Sequence, residues 1–270
     1  MFAIVLRHAP VMPSAITTAA APRSPGCGGD VALVARRIPL FPVERTMKIT
    51  PVAEARDRTA TRIGWAAIYL KAYAVVARET PVLRTWLARG LFGLRPVTAS
   101  ASVATLAVNR VEAGGDRLFF ARLHEPEALP LPEIQRFIDD RATLPVEDIF
   151  KRQLQLEMLP AFVRRTLLQW NMGLATPKRA TRLGTFSLST LAGMGAVNRF
   201  HPTICSTSLS YGPLDADGRC LVTLIADHRV LDGAAAARAL QTLERVLLVD
   251  VVAELTALRG DRAAPPQAAA

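Results

Sequence analysis

His228 stands between two acids in the run Asp227-His228-Arg229-Val230-Leu231-Asp232-Gly233. It follows the apolar stretch "LVTLIA", which predicts a strand whose end exposes its first polar side chains. An imidazole gains or loses a proton near neutrality, so His228 is a candidate general base. Asp232, one helical turn later, is placed to orient or charge-balance the loop, and Gly233 lets the backbone turn into the alanine-rich run that follows. The spacing alone suits a surface or capping histidine equally well. The other histidines are weaker candidates, since His8 sits near the N-terminus, His124 ends a strand beside Glu125 and His201 precedes Pro202 in a loop. Cys27, Cys205 and Cys220 lack metal-ligand spacing, so neither a metal site nor a disulfide framework is expected.

The elements that must position this turn are of mixed type. From Gly64, the run "GWAAIYLKAYAVVARETP" places Trp65, Ile68, Tyr69, Ala72, Val75 and Val76 at helical spacing, which predicts a core-facing helix. Two β-rich runs around Gly114-Gly115 predict a hairpin, and Pro132 to Asp140 reads as a helix. A longer amphipathic segment follows, with Leu156, Leu159, Val163, Leu167, Trp170 and Leu174 on one stripe and Pro160 as a kink. The stripe is expected to pack on the core beneath a solvated basic face, with partner or membrane-surface docking of residues 151–182 as the rival reading. "GTFSLSTL", "TICSTSLSY" and "RCLVTLIA" read as strands, and Ala234 to Asp250 as a helix.

The chain has 270 residues, of which 50% are hydrophobic and 21% charged, enough to bury a real core. The longest apolar run, Trp65 to Ala77, is broken by Lys71, so no transmembrane segment is expected. A net charge of +10, carried mostly by arginine, favours an acidic partner. Aromatics are sparse and not interleaved with arginine, which argues against a nucleic-acid surface. Residues 1–35 are rich in Ala, Pro, Ser and Gly and read as a disordered tail, with Met47 as an alternative start. Residues 256–270 read as a second tail, leaving one domain over 36–255 in a reducing, cytoplasmic setting.

The full string "DHRVLDGAAAARAL" resembles the active-site signature of the acyltransferase component of 2-oxo-acid dehydrogenase complexes, in which Asp-His-Arg, two variable residues and Asp-Gly-Ala recur. "GTFSLSTLAGMG" is similar to that family's Gly-Thr-Phe-Thr-Ile-Ser-Asn-Leu-Gly segment, and "AIYLKAYAVVARETPVLRTWL" to its early helix. The likeness covers roughly Arg36 to Leu248 and is strongest near the C-terminus. It implies an α/β (α+β) fold of the chloramphenicol-acetyltransferase-like group, a mixed β-sheet flanked by helices, assembling as trimers with active sites between subunits. It implies further that His228 takes the proton of a thiol, either of coenzyme A or of a dihydrolipoyl group, so that the thiolate attacks an acyl thioester. Ser189, matching the serine of Thr-Ile-Ser, would donate a hydrogen bond to the oxyanion, while Asp232 would hold the loop by pairing with an arginine, Arg36, Arg37, Arg45 or Arg229. Read without the resemblance, Ser189 is a strand serine bonded to backbone, and Asp232 is structural in either reading.

Two departures leave donor and acceptor open. No lysine sits in the Asp-Lys-Ala context that carries lipoate, so the acyl group is expected from acyl-CoA or from a lipoylated protein in trans. The family's Asn-Pro-Pro-Gln stretch and its N-terminal Pro-His segment are replaced by "ICSTSLSYGP" and "MKITPVAEARD". The expected protein is a stand-alone coenzyme A-dependent acyltransferase, trimeric or larger. Its alternatives are transfer to a non-thiol acceptor and a catalytically silent, trimer-forming scaffold.

Overall fold

The computed structural model describes residues 26–112 and 115–259. Its first element corrects the tail expected over 1–35, because Gly26–Ala35 forms a helix, α1, with Asp30, Val34 and Ala35 buried. The glycine-rich sequence "GCGGDVALVA" has poor intrinsic helix propensity, so tertiary contacts must hold it. Asp30 accepts hydrogen bonds from Arg164 Nε at 2.6 Å and from Arg165 Nε at 2.8 Å. At the helix start, where N–H groups lack partners, the Glu157 carboxylate accepts from the Cys27 N–H at 3.2 Å. Residues 1–25 and 260–270 of the two expected tails lie outside the described residues.

Strand β1 (Leu40–Lys48) comes next, followed by α2 (Thr50–Asp57) and α3 (Trp65–Glu79), the helix expected from its apolar spacing. Met47 is buried near the end of β1, so a chain beginning there would lose most of that strand. A short hairpin of β2 (Thr85–Gly90) and β3 (Gly93–Thr98) precedes the expected long one, β4 (Val103–Glu112) with β5 (Gly115–His124). Helices α4 (Leu131–Thr143), α5 (Val146–Ile149), α6 (Lys151–Glu157), α7 (Ala161–Met172) and α8 (Pro177–Leu183) fill the middle of the chain, and Pro160 separates α6 from α7. Strands β6 (Phe186–Leu188), β7 (Thr207–Tyr211) and β8 (Arg219–Asp227) follow, then α9 (Gly233–Val246), a π-helical turn and α10 (Val252–Ala257). Helix α10 packs on α2 and Thr59 bridges Arg259, so ordered structure continues past the boundary expected at 255.

Six strands make one mixed sheet in the order β1-β8-β7-β6-β4-β5. Strand β6 is parallel to both neighbours, and the remaining pairings are antiparallel. Helices flank the sheet, giving the mixed α/β architecture expected. Ala104, Leu106, Phe119, Phe186, Leu188, Leu209 and Leu224 join α3 and α9 in the main core. There Tyr69 stacks on Tyr211 at 4.3 Å between centroids, and Tyr73 meets Phe186 edge-on at 4.9 Å. The chain enters β6 through Gly184 at φ 86°, where an added Cβ would lie 2.2 Å from Thr105 Oγ1. By strand alternation Thr105, Ser187 and Ser208, paired across β4, β6 and β7, face the other side of the sheet.

That second face is covered by α1 and α6 to α8, and here the amphipathic segment keeps its expected orientation only in part, with Lys151, Arg152 and Lys178 exposed as expected. Phe162 and Trp170 are 71% and 56% exposed, while Leu156, Leu159 and Leu167 keep a little over a third of their surface open. Arg164 and Arg179 are buried instead. The buried carboxylate of Asp30 draws Arg164 inward, while Arg179 donates to the Gly184 and Ile204 carbonyls and lies under the Trp86 ring. Among the described residues no helix is long and apolar enough to cross a membrane.

Candidate active site

Strand β8 ends in a tight turn, in which Val230 and Leu231 N–H groups donate to the Asp227 carbonyl at 2.9 and 3.0 Å. The Asp227 side chain takes both prongs of Arg229, at 2.8 and 2.6 Å, which fixes the turn from within. His228, held by its N–H on the Pro39 carbonyl at 2.9 Å, projects to the exposed side and packs on Phe41. Its Nδ1 lies 3.2 Å from the Leu231 carbonyl. A carbonyl can only accept, so Nδ1 carries the proton and Nε2 keeps the lone pair of a base. Nε2 has no hydrogen-bond partner among the described residues.

Asp232 caps α9, accepting from the Ala235 N–H at 2.7 Å. No described arginine pairs with it, contrary to the expectation carried by the resemblance. Arg229 is engaged by Asp227 and Arg45 by Glu244. The cap satisfies the helix end that receives the chain after the histidine turn, so Asp232 shapes the site from behind.

Ser189 follows β6, its N–H on the Leu209 carbonyl at 3.1 Å, and lines a cavity of about 570 Å³. The hydroxyl has no hydrogen-bond partner among the described residues. His228 does not line this cavity. Leu188 pairs with Leu209, which puts Ser189 level with Ser210 and so with Thr223 on β8, and His228 lies five residues further along the sheet and two strands across. At ~3.3 Å per residue and ~4.8 Å per strand, the two side chains of one chain start on the order of 20 Å apart.

The cavity lies between the second face of the sheet and the helices α1 and α6 to α8, with Thr105, Leu118 and Phe120 on its floor and Val31, Leu156 and Leu168 opposite. Residues passed over in the sequence meet at one end. His201 Nε2 is 2.6 Å from Ser208 Oγ, which accepts from Ser187 Oγ at 2.6 Å, and Ser187 lies 3.0 Å from Thr203 Oγ1. Burial pushes His201 down to about 4 and keeps it neutral. No local signal marks His201, because the partner of its Nε2 lies on β7. Cys27 also lines the cavity, but burial pushes its thiol up to about 12, so it is no nucleophile near neutrality.

No protein-family model and no curated protein matches the chain. Solved structures do. A probable dihydrolipoamide acetyltransferase from Listeria monocytogenes 4b F2365 superposes at TM-score 0.57 with 16% identity, over 87% of this chain and 92% of that one. The dihydrolipoamide acetyltransferase of Azotobacter vinelandii gives 0.60 with 18% identity, over 84% and 88%, in a structure concerned with a serine, a histidine and an asparagine in that enzyme's catalytic mechanism. The cubic core of a pyruvate dehydrogenase multienzyme complex gives 0.57 with 19% identity, over 84% and 88%. The property shared with these catalytic cores is the fold.

Proposed function

We propose that this chain is a stand-alone acyltransferase of the 2-oxo-acid dehydrogenase type, passing an acyl group between coenzyme A and a second thiol. One observation carries the reading: the Nδ1–H of His228 is committed to the Leu231 carbonyl, which leaves Nε2 outward as a base on the fold of the acetyltransferase cores. His228 removes the thiol proton, the thiolate adds to the acyl carbonyl, and the Ser189 hydroxyl donates to the oxyanion. The net charge of +10 suits the phosphates of coenzyme A. The thiol acceptor is a dihydrolipoyl group on another protein or a free thiol.

The separation of Ser189 from His228 within one chain calls for a second copy, so that the histidine of one subunit meets the serine of the next. A trimer or larger assembly supplies that, and the exposed apolar stripe of Phe162 and Trp170 offers surface for such contacts. The rival reading, a silent scaffold, draws on the same separation.

Calorimetric titration with coenzyme A and acetyl-CoA, paired with thiol release to dihydrolipoamide, decides between them. Binding with turnover that falls about 10²- to 10⁴-fold in His228→Ala supports the transferase. Absence of binding supports the scaffold, and binding without dihydrolipoamide turnover moves the acceptor to a non-thiol.

A further inference from the structure

The cavity between the sheet and the helices α6 to α8 changes character along its floor. On β5 the floor runs through Leu118, Phe120 and Arg122, alternate residues on one face of the strand. An apolar surface therefore gives way to a guanidinium about 13 Å further on, at ~3.3 Å per residue. Arg122 is level with Thr105 on β4, and Thr105 with Ser187 on β6, so the polar end extends across three strands. Val31, Ala107 and Leu168 continue the apolar wall. Helix α6 is held along β5 by Gln153, whose side chain accepts from the Phe120 N–H at 3.1 Å and donates to the Leu118 carbonyl at 3.0 Å. Its neighbour Arg152 thereby joins Arg122 in lining the cavity. Neither guanidinium has a hydrogen-bond or ion-pair partner among the described residues. Asp30, the one acid among the described residues that line the cavity, is taken by Arg164 and Arg165, and Arg182 donates to the Asn171 side chain at 2.7 Å. Arg122 keeps open surface because it lines the cavity, yet the protein around it lowers its guanidinium below the ordinary range, and the like charge of Arg152 adds to that fall. Two like charges on an apolar cavity with no counter-charge are stabilised by an anion.

We propose that this cavity binds an aliphatic monocarboxylate, its carboxylate held by Arg122 and Arg152 and its chain lying over Phe120 and Leu118. The guanidinium fork matches two carboxylate oxygens, and the pairing is strongest where water is scarce. A volume of about 570 Å³ is within the ~300–1,000 Å³ usual for small-molecule sites. At ~30 Å³ for a group the size of a water molecule, it holds a chain on the order of ten carbons or more. A short acid leaves the apolar floor uncovered, and a neutral alcohol leaves the two arginines without a counter-charge, so the site selects for chain and charge together. The phosphates of coenzyme A supply the charge without the chain. The proposal goes beyond acyl transfer: it makes no use of His228, involves no chemical step and adds a binding site for a free acid.

The test titrates the full-length protein calorimetrically with decanoate and, separately, with decanol, acetate and coenzyme A. Decanoate is expected to bind once per chain, more than about tenfold tighter than decanol or acetate, and more than about tenfold weaker in Arg122→Met. Melting curves confirm that each variant is folded, and Arg152→Met is read in the same way if Arg122→Met does not fold. Lys178→Met takes the same charge from the open surface of α8 and is expected to leave decanoate binding unchanged. An equal loss in Lys178→Met would mark adsorption by net charge and overturn the proposal. So would wild type that binds no decanoate, or affinity unaltered in the folded arginine variants. Coenzyme A binding that depends on Arg122 where decanoate does not bind would assign the arginines to phosphate instead. Thiol release to dihydrolipoamide reads the transferase separately, so the two can fail independently.

Discussion

The imidazole of His228 lies against the ring of Phe41, with centroids 4.4 Å apart and planes tilted by 34°. Ring packing on one side and the Leu231 carbonyl on the other leave the candidate base a single orientation. Phe41→Ala removes the packing and keeps the hydrogen bond. The expected result is a fall in kcat of about tenfold with KM little changed, because the base is present but no longer aimed. Steady-state kinetics check it, and an unchanged kcat would free His228 from any dependence on β1.

If serine and histidine of one site come from different subunits, two inactive variants repair each other. Assemblies of Ser189→Ala alone or His228→Ala alone are expected to be inactive. Mixed assemblies are expected to regain about a quarter of wild-type activity, since that share of random pairings joins an intact serine to an intact histidine. Activity measured after denaturing and refolding the variants together checks this. No recovery in well-assembled mixtures would place both groups in one chain or in no site at all.

Asp232 is a helix cap, and the cap chemistry predicts its substitutions. Asparagine caps as well as aspartate, so Asp232→Asn is expected to stay within about 0.5 kcal/mol of wild type, whereas Asp232→Ala costs about 1 kcal/mol. Urea denaturation reads both. A loss with asparagine as large as with alanine would show that the charge matters and return an arginine partner to consideration.

Asp30 joins α1 to α7 through a carboxylate that is 3% exposed. Replacing it with alanine strips Arg164 of its carboxylate partner in a buried setting, for an expected cost of about 3 kcal/mol. Protease cleavage within α1 should quicken as well, since that helix has little propensity of its own. Denaturation midpoints and a limited-digestion time course check the pair.

His201 makes stability depend on pH. Its folded value of about 4 lies below the ordinary value near 6.5, so the unfolded chain binds the proton more tightly. The contribution is therefore whole above about pH 6.5 and is lost as pH falls toward 4, by about 3 kcal/mol in all. Between pH 7 and pH 4.5, His201→Gln should lose less stability than wild type. Parallel slopes for the two proteins would contradict the burial of the imidazole.

Much of this was legible in the sequence where a local period carried it. The spacing of Trp65 to Val76 announced α3, Gly114-Gly115 marked the long hairpin, and Pro160 marked a helix break. Strand β1 escaped because an edge strand such as "LFPVERTMK", largely open to solvent and interrupted by proline, shows no clean alternation. The β2–β3 hairpin carries Leu91 and Phe92 exposed at its tip, against the rule that turns are polar. Helix α1 was hidden by its glycines, and the inward Arg164 by a carboxylate more than a hundred positions away. In the site, the motif led to His228, whereas Ser187, Ser208 and His201 converge only when three separate segments meet.

The order of the sheet sets a timetable for the growing chain. Strand β1 pairs Leu40 with Asp227, and the three-residue β6 joins the β4–β5 hairpin to the β7–β8 pair. A ribosome must therefore emit nearly the whole domain before β1 finds its partner. The molecule closes from its C-terminal end, so a truncation near β8 discards the fold along with the histidine.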